Sequence, residues 1–227
     1  MRLSIIIPCY NDATALRACL QRLQGMSDVE CIVADASPGS ECREIATALG
    51  ATIVTFAQPG RGPQMNGGAA VATGEVLIFN HCDTQLTATH LAAVRACMAE
   101  ENPPVLAGAF YKCPEHHYPL VTWGNESIRA WVRDWGPIYG DQTIFFRRSH
   151  FHALGGFPAI PIMEDVAMSQ RLRNAGGLRL LDPAVVTSLR KFQQHGYVKT
   201  RLSNLLLLWL YQLGVPPEAI YRWYYRS

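Results

Sequence analysis

The chain belongs to the α/β class, with a mostly parallel central sheet covered by helices on both faces. Two observations predict this. Short, non-alternating apolar runs rich in β-branched residues (Leu3–Ile7, Glu30–Asp35, Ala51–Phe56, Glu75–Phe79) alternate with helix-period segments over the first 80 residues. Strands that are apolar throughout are buried on both faces, as in parallel sheets. The second observation is chemical. Three of these runs end in polar, acid-bearing turns, namely Pro8-Cys9-Tyr10-Asn11-Asp12, Asp35-Ala36-Ser37 and Asn80-His81-Cys82-Asp83. Such sheets bind ligands at the carboxyl ends of their strands.

The elements follow in order. Between the first two strands, Leu16, Cys19, Leu20 and Leu23 share one helical face within residues 12–24. Ser40 to Leu49 predicts a helix with Ser40 as N-cap and Gly50 past its end. Gly62–Ala72 is helical despite its glycines, and Thr87–Met98 forms the next helix. A strand follows at Val105–Tyr111, then an aromatic amphipathic segment, Pro119–Val132. Gln142–Arg147 is strand-like, a helix starts near Asp165, and two short strands follow at Leu178–Leu181 and Val185–Thr187. A last helix spans roughly Tyr197–Leu213, and the chain closes on IYRWYYR. No repeat or domain-length linker interrupts this, so one domain (1–190) with a C-terminal helical extension (191–227) is expected.

Composition narrows the classes. Of 227 residues, 49% are hydrophobic and 17% charged, enough for a sizeable core. The net charge of +2 excludes a globally basic nucleic-acid binder. From Thr187 onward six Lys or Arg face one Glu, a local +5, leaving the first 186 residues at −3. Seven scattered cysteines, never spaced CxxC, argue for free thiols in a reducing, cytoplasmic setting. The five-residue apolar run before Pro8 is too short for a signal-peptide core. The Leu205–Tyr211 stretch is far below the ~20 residues that span a bilayer.

The chemistry can then be sorted. A dinucleotide fold needs G-x-G-x-x-G in its first turn, where PCYND stands, and no GxxxxGK[ST] occurs. The segments SIIIPCYND (4–12), VADAS (33–37), GRGPQMNGGAAVATGEVLIFNHCDT (60–84), GDQTIFFRR (140–148) and MEDVAMSQRLRNAG (163–176) resemble, in order, the family 2 glycosyltransferases with the GT-A fold, specifically their short stand-alone bacterial members.

That resemblance implies a nucleotide-diphospho-sugar donor and transfer to an acceptor hydroxyl, inverting at the anomeric carbon. It assigns Pro8, Tyr10 and Asn11 to the nucleoside site and Asp35 to the base or ribose. A turn-capping role for Asp35 stays open. Arg61 and Asn66 flank the glycine-rich stretch and are expected beside the donor, and Arg190, with Lys191, beside its phosphates. The family's Asp-x-Asp metal motif becomes His81-Cys82-Asp83, which leaves Asp83 as carboxylate ligand. His81 and His195 are candidate ligands for Mn²⁺ or Mg²⁺, and imidazole tilts the choice toward Mn²⁺. Asp165, beside Glu164, corresponds to the family's general base. A helix cap is the alternative for that acid pair, and in the His81–Thr84 turn a loop cap for His81 with Asp83 or Thr84 capping the next helix. Asp141 lies where relatives shape the sugar or acceptor site, and known acceptors range from small molecules to lipid-linked ones. A nucleotidyltransferase of related architecture or a non-catalytic sugar-nucleotide-binding module are the alternatives. The basic, aromatic C-terminal helix is expected on the domain, on a second subunit of a homodimer, or on a membrane surface.

Overall fold

The computed structural model describes residues 1–115, 119–176, 178–188, 190 and 196–226. In chain order the elements are β1 (Leu3–Cys9), α1 (Ala13–Leu23), β2 (Val29–Asp35), α2 (Glu41–Ala48), β3 (Thr52–Thr55), α3 (Arg61–Val71), β4 (Val76–Phe79), β5 (Thr84–Gln85) and α4 (Ala88–Met98). The second half holds β6 (Ala107–Pro114), α5 (Pro119–Asp134), a 3₁₀ turn (Gly140–Gln142), β7 (Ile144–Arg147), α6 (Arg148–Ala153), α7 (Glu164–Ala175), β8 (Leu178–Thr187), α8 (Tyr197–Gln212) and α9 (Pro217–Arg226).

The sheet runs β3-β2-β1-β4-β7-β6-β8-β5. Its first four strands are parallel, as the apolar runs predict. Strand β7 then enters antiparallel to both β4 and β6, while β6 and β8 pair in parallel. Both faces are apolar because β1 alternates its side chains between two cores. Leu3, Ile5, Ile7 and Cys9 face α1, α2 and α4, where Leu16, Leu20, Ile45, Leu91 and Val94 fill one layer. Ile6 faces the opposite layer, where Met65 and Ala69 of α3 meet Phe79, Phe146, Phe151 and Phe157. Phe79 touches the other three rings, with centroids 4.9–5.8 Å apart, so this aromatic cluster holds α3 and α6 to the sheet.

Two boundaries differ from expectation. The stretch expected as a strand from Gln142 begins at Ile144, because Gly140–Gln142 is a 3₁₀ turn and Thr143 adopts φ 51°. The two short strands after α7 are one ten-residue strand, β8. Pro183 is tolerated in it because the β6–β8 register shifts between Phe110 and Lys112, so no ladder amide is needed there.

The C-terminal pair packs on the domain. Leu207 and Leu208 of α8 and Ile220 of α9 are buried with Met163 and Val166 at the start of α7. The opposite side of α8 exposes Val198, Leu202, Leu205, Trp209 and Leu213. Among the described residues no helix is long and apolar enough to cross a membrane.

Candidate active site

The site forms where the ends of β1, β2 and β4 meet the 3₁₀ turn and the head of α7. Asn80 builds its centre. This fully buried amide donates through Nδ2 to the carbonyls of His81 (2.9 Å) and Thr84 (3.2 Å) and accepts from the Thr143 hydroxyl at 2.7 Å. The His81–Thr84 turn is thereby pegged to the 3₁₀ turn, and Asp83 cannot act as a simple helix cap. The next helix is capped instead by Thr87, whose amide and hydroxyl both reach His90 Nδ1.

His81 and Asp165 both approach Gly140. A Cβ at Gly140 would lie 2.7 Å from His81 Nε2 and 3.7 Å from Asp165 Oδ2. The Gly140 amide donates to Asp165 Oδ2 at 2.8 Å, and Val166 N–H donates to Oδ1 at 2.8 Å. Asp141 points the other way, with both oxygens on Lys112 Nζ at 2.8 and 2.7 Å. Lys112 also lies 5.1 Å from the Tyr139 ring centroid. Arg61, at the first turn of α3, faces Glu164, Asp165 and Asp141. Close approach of α3 to the loop that precedes α7 requires glycine at 62, since a Cβ there would sit 2.6 Å from the Pro158 carbonyl oxygen.

Environment separates these acids. Burial and the neighbouring Asp165 carboxylate raise Glu164 to about 7 against the pull of Arg61. Burial also raises Asp165, although two backbone amides and Arg61 oppose it. For Asp141 burial is outweighed by Lys112, His81 and Arg61, and its carboxyl is held low. Asp83 is raised by burial and by Asp141, with Arg190 opposing. Non-glycine residues with positive φ cluster at this site: Asn11 (51°) after β1, Thr143 (51°) after the 3₁₀ turn, and Met163 (67°) before Glu164. Strain of this kind persists where surrounding packing over-determines the backbone.

The donor-side residues divide. Tyr10 and Asn11 are both exposed at the end of β1, and the Asn11 backbone amide donates to Ser37 Oγ at 2.8 Å. Arg190 forms a two-point pair with Asp12 at 3.2 and 2.5 Å, beside Asp83. Pro8 turns its carbonyl inward, where it accepts from the Cys82 thiol at 3.4 Å. Asp35 and Asn66 are held by protein partners. Asp35 is fully buried, accepting from Ser37 N–H at 3.0 Å and Arg43 at 3.2 Å, which anchors the turn after β2. Asn66 clamps Phe157 through both ends of its amide, at 2.8 and 2.9 Å. His195 and Lys191 fall outside the described residues. Lys112, Tyr139 and Arg43 carry no local sequence signal, and only the fold brings them here.

A divalent cation fits the Asp83 side. An oxygen ligand there stands beside a second carboxylate, Asp141, and burial already disfavours its charge. Among the described residues no third His, Cys, Asp or Glu completes a group with Asp83 and His81. That suits a cation whose remaining ligands are phosphate oxygens and water.

The sequence model of glycosyl transferase family 2 matches residues 4–155. The chain belongs to this family. A search of curated protein sequences returns no match. Among solved structures, this family 2 chain is similar to a Pyrobaculum calidifontis mannosyltransferase in complex with GDP-Man and Mn²⁺ (TM-score 0.69, 24% identity, covering 90% of this chain and 61% of that one). It is also similar to S. aureus TarS with UDP-GlcNAc (0.64, 16%, 83% and 58%). A third is glucosyl-3-phosphoglycerate synthase from Mycobacterium tuberculosis with Mn²⁺, uridine diphosphate and glucosyl-3-phosphoglycerate (0.56, 17%, 82% and 70%). The GT-A fold is common to all. The chain spans about 60% of the length of the first structures it matches.

Proposed function

We propose that the chain transfers a sugar from a nucleotide-diphospho-sugar to an acceptor hydroxyl, inverting the anomeric carbon, with Asp165 as general base. The observation that carries this is the acid pair Glu164-Asp165 at the head of α7, Glu164 buried and Asp165 half-buried, both with raised pKa values, and Asp165 held by the Gly140 amide beside His81. A carboxylate pushed upward by burial abstracts a hydroxyl proton better at neutral pH than one at its ordinary value.

Tyr10 and Asn11 line the nucleoside side. Asp35 acts from behind, holding Ser37, which in turn accepts from the Asn11 amide. Arg190 is placed to leave Asp12 for a diphosphate, a stronger bidentate partner. A divalent cation, Mn²⁺ or Mg²⁺, would be held by Asp83 with His81 and would neutralise charge on the leaving diphosphate. Arg61 lowers the cost of charge on Asp165 and keeps it ionisable. Tyr225 of α9 faces Arg61, and Arg201 of α8 faces Tyr139, so the C-terminal pair walls the acceptor side. The exposed Val198–Leu213 stripe of α8 suits an apolar or lipid-linked acceptor, presented at a membrane surface.

The test is a panel of UDP-, GDP- and dTDP-sugars with Mn²⁺, scored by nucleoside diphosphate release. One donor consumed with metal dependence supports the reading. Retained binding without turnover in the whole panel would make the chain a binding module instead.

A further inference from the structure

Three of the seven cysteines, from separate elements, converge beneath the nucleoside side of the cleft. Cys9 ends β1 and is the register partner of Asp35, which ends β2. Cys42 enters from the first turn of α2. The sulfurs of Cys9 and Cys42 and a carboxylate oxygen of Asp35 all lie within 4.8 Å of one another. Cys82, from the turn after β4, hydrogen-bonds to Cys9. All four residues are buried, Asp35 completely. Neither the acid chemistry nor the diphosphate side uses these thiols.

We propose that Cys9, Cys42 and Asp35, with Cys82 as the adjoining fourth donor, form a second cation site that takes a thiophilic d¹⁰ ion of the zinc class. Two thiolates select such an ion over Mg²⁺ or Mn²⁺, which prefer oxygen. Zinc–sulfur bonds of about 2.3 Å place tetrahedral thiolates about 3.8 Å apart, so the pocket needs to close by about 1 Å at most. Charge also balances. With Cys82 kept as the neutral thiol, two thiolates and a carboxylate bring three negative charges, a divalent ion offsets two, and Arg43, 3.2 Å from Asp35 Oδ2, offsets the third. The Ser37 hydroxyl, 3.5 Å from Cys42 Sγ, supplies the outer hydrogen bond that thiolate ligands commonly receive. The ion would tie the ends of β1 and β2 to α2 and to the His81–Asp83 turn.

The reduced full chain is titrated with Cd²⁺ alone and followed by sulfur-to-cadmium charge-transfer absorption. One equivalent per chain is expected. Cys9→Ser and Cys42→Ser should each weaken binding by about 10- to 100-fold or more, while Cys113→Ser, on β6, leaves it unchanged. No absorption in the wild type, or wild-type affinity in both Cys9→Ser and Cys42→Ser, overturns the site. X-ray absorption on the zinc-loaded wild type needs no variant. Two or three sulfur neighbours support the proposal, and one or none refutes it. Neither readout involves nucleotide or turnover, so this site and the transferase reading fail separately.

Discussion

Asp141 and Asp165 flank the same glycine, yet the fold treats them oppositely. Asp141 has a lysine on both oxygens and stays ionised. Asp165 has only backbone amides in direct contact, and burial pushes its carboxyl upward. The difference teaches how one site supports two tasks. An acid neutralised by a neighbouring cation shapes charge, and an acid left with dipoles can exchange a proton.

The strongest way to break the comparison is at its hinge. Gly140→Ala places a methyl 2.7 Å from His81 Nε2 and close to Asp165 Oδ2, and shifts of this size cost about 10²-fold in rate. Steady-state turnover should fall by that order while circular dichroism stays unchanged. Asp83→Ala addresses the diphosphate side alone. Nucleotide binding measured by calorimetry should lose its Mn²⁺ dependence, and retained dependence would exclude Asp83 as ligand.

Glu164 sharpens the acid-pair side through pH. Its folded pKa of about 7 exceeds its ordinary 4.5, so the folded chain binds the extra proton. This group's contribution to stability is therefore full below 4.5 and is lost as pH rises through about 7. Denaturation midpoints at about pH 5 and about pH 8 should converge in Glu164→Gln relative to wild type. Lys112→Met should have the smallest effect on stability. The Lys112–Asp141 pair is partly solvated, so about 1 kcal/mol or less is expected by denaturant titration. The Asp141 carboxyl should rise toward the behaviour of Asp165.

How much of this was legible in the sequence varies along the chain. Strands β1 to β4 announce themselves because burial on both faces makes them uniformly apolar. Their polar ends locate the cleft because a parallel sheet collects its carboxyl ends on one edge. The antiparallel entry of β7 was not legible, since strand direction leaves no mark in a four-residue run. The two runs expected as separate strands, Leu178–Leu181 and Val185–Thr187, join in β8 because a local register shift absorbs the residues between them. The acids at 83, 164 and 165 stood out by position, whereas Lys112 and Arg43 resemble any surface cation until the fold pairs them with Asp141 and Asp35. For Asn66, a polar side chain among glycines signals ligand approach and loop clamping equally well, and the fold shows the clamp on Phe157.

The central claim rests on one proton acceptor. Single-turnover kinetics of Asp165→Asn, with donor affinity measured in parallel, addresses it directly. The chemical step should slow by about 10²- to 10⁴-fold with donor binding retained. A chemical step that proceeds at the wild-type rate would contradict it.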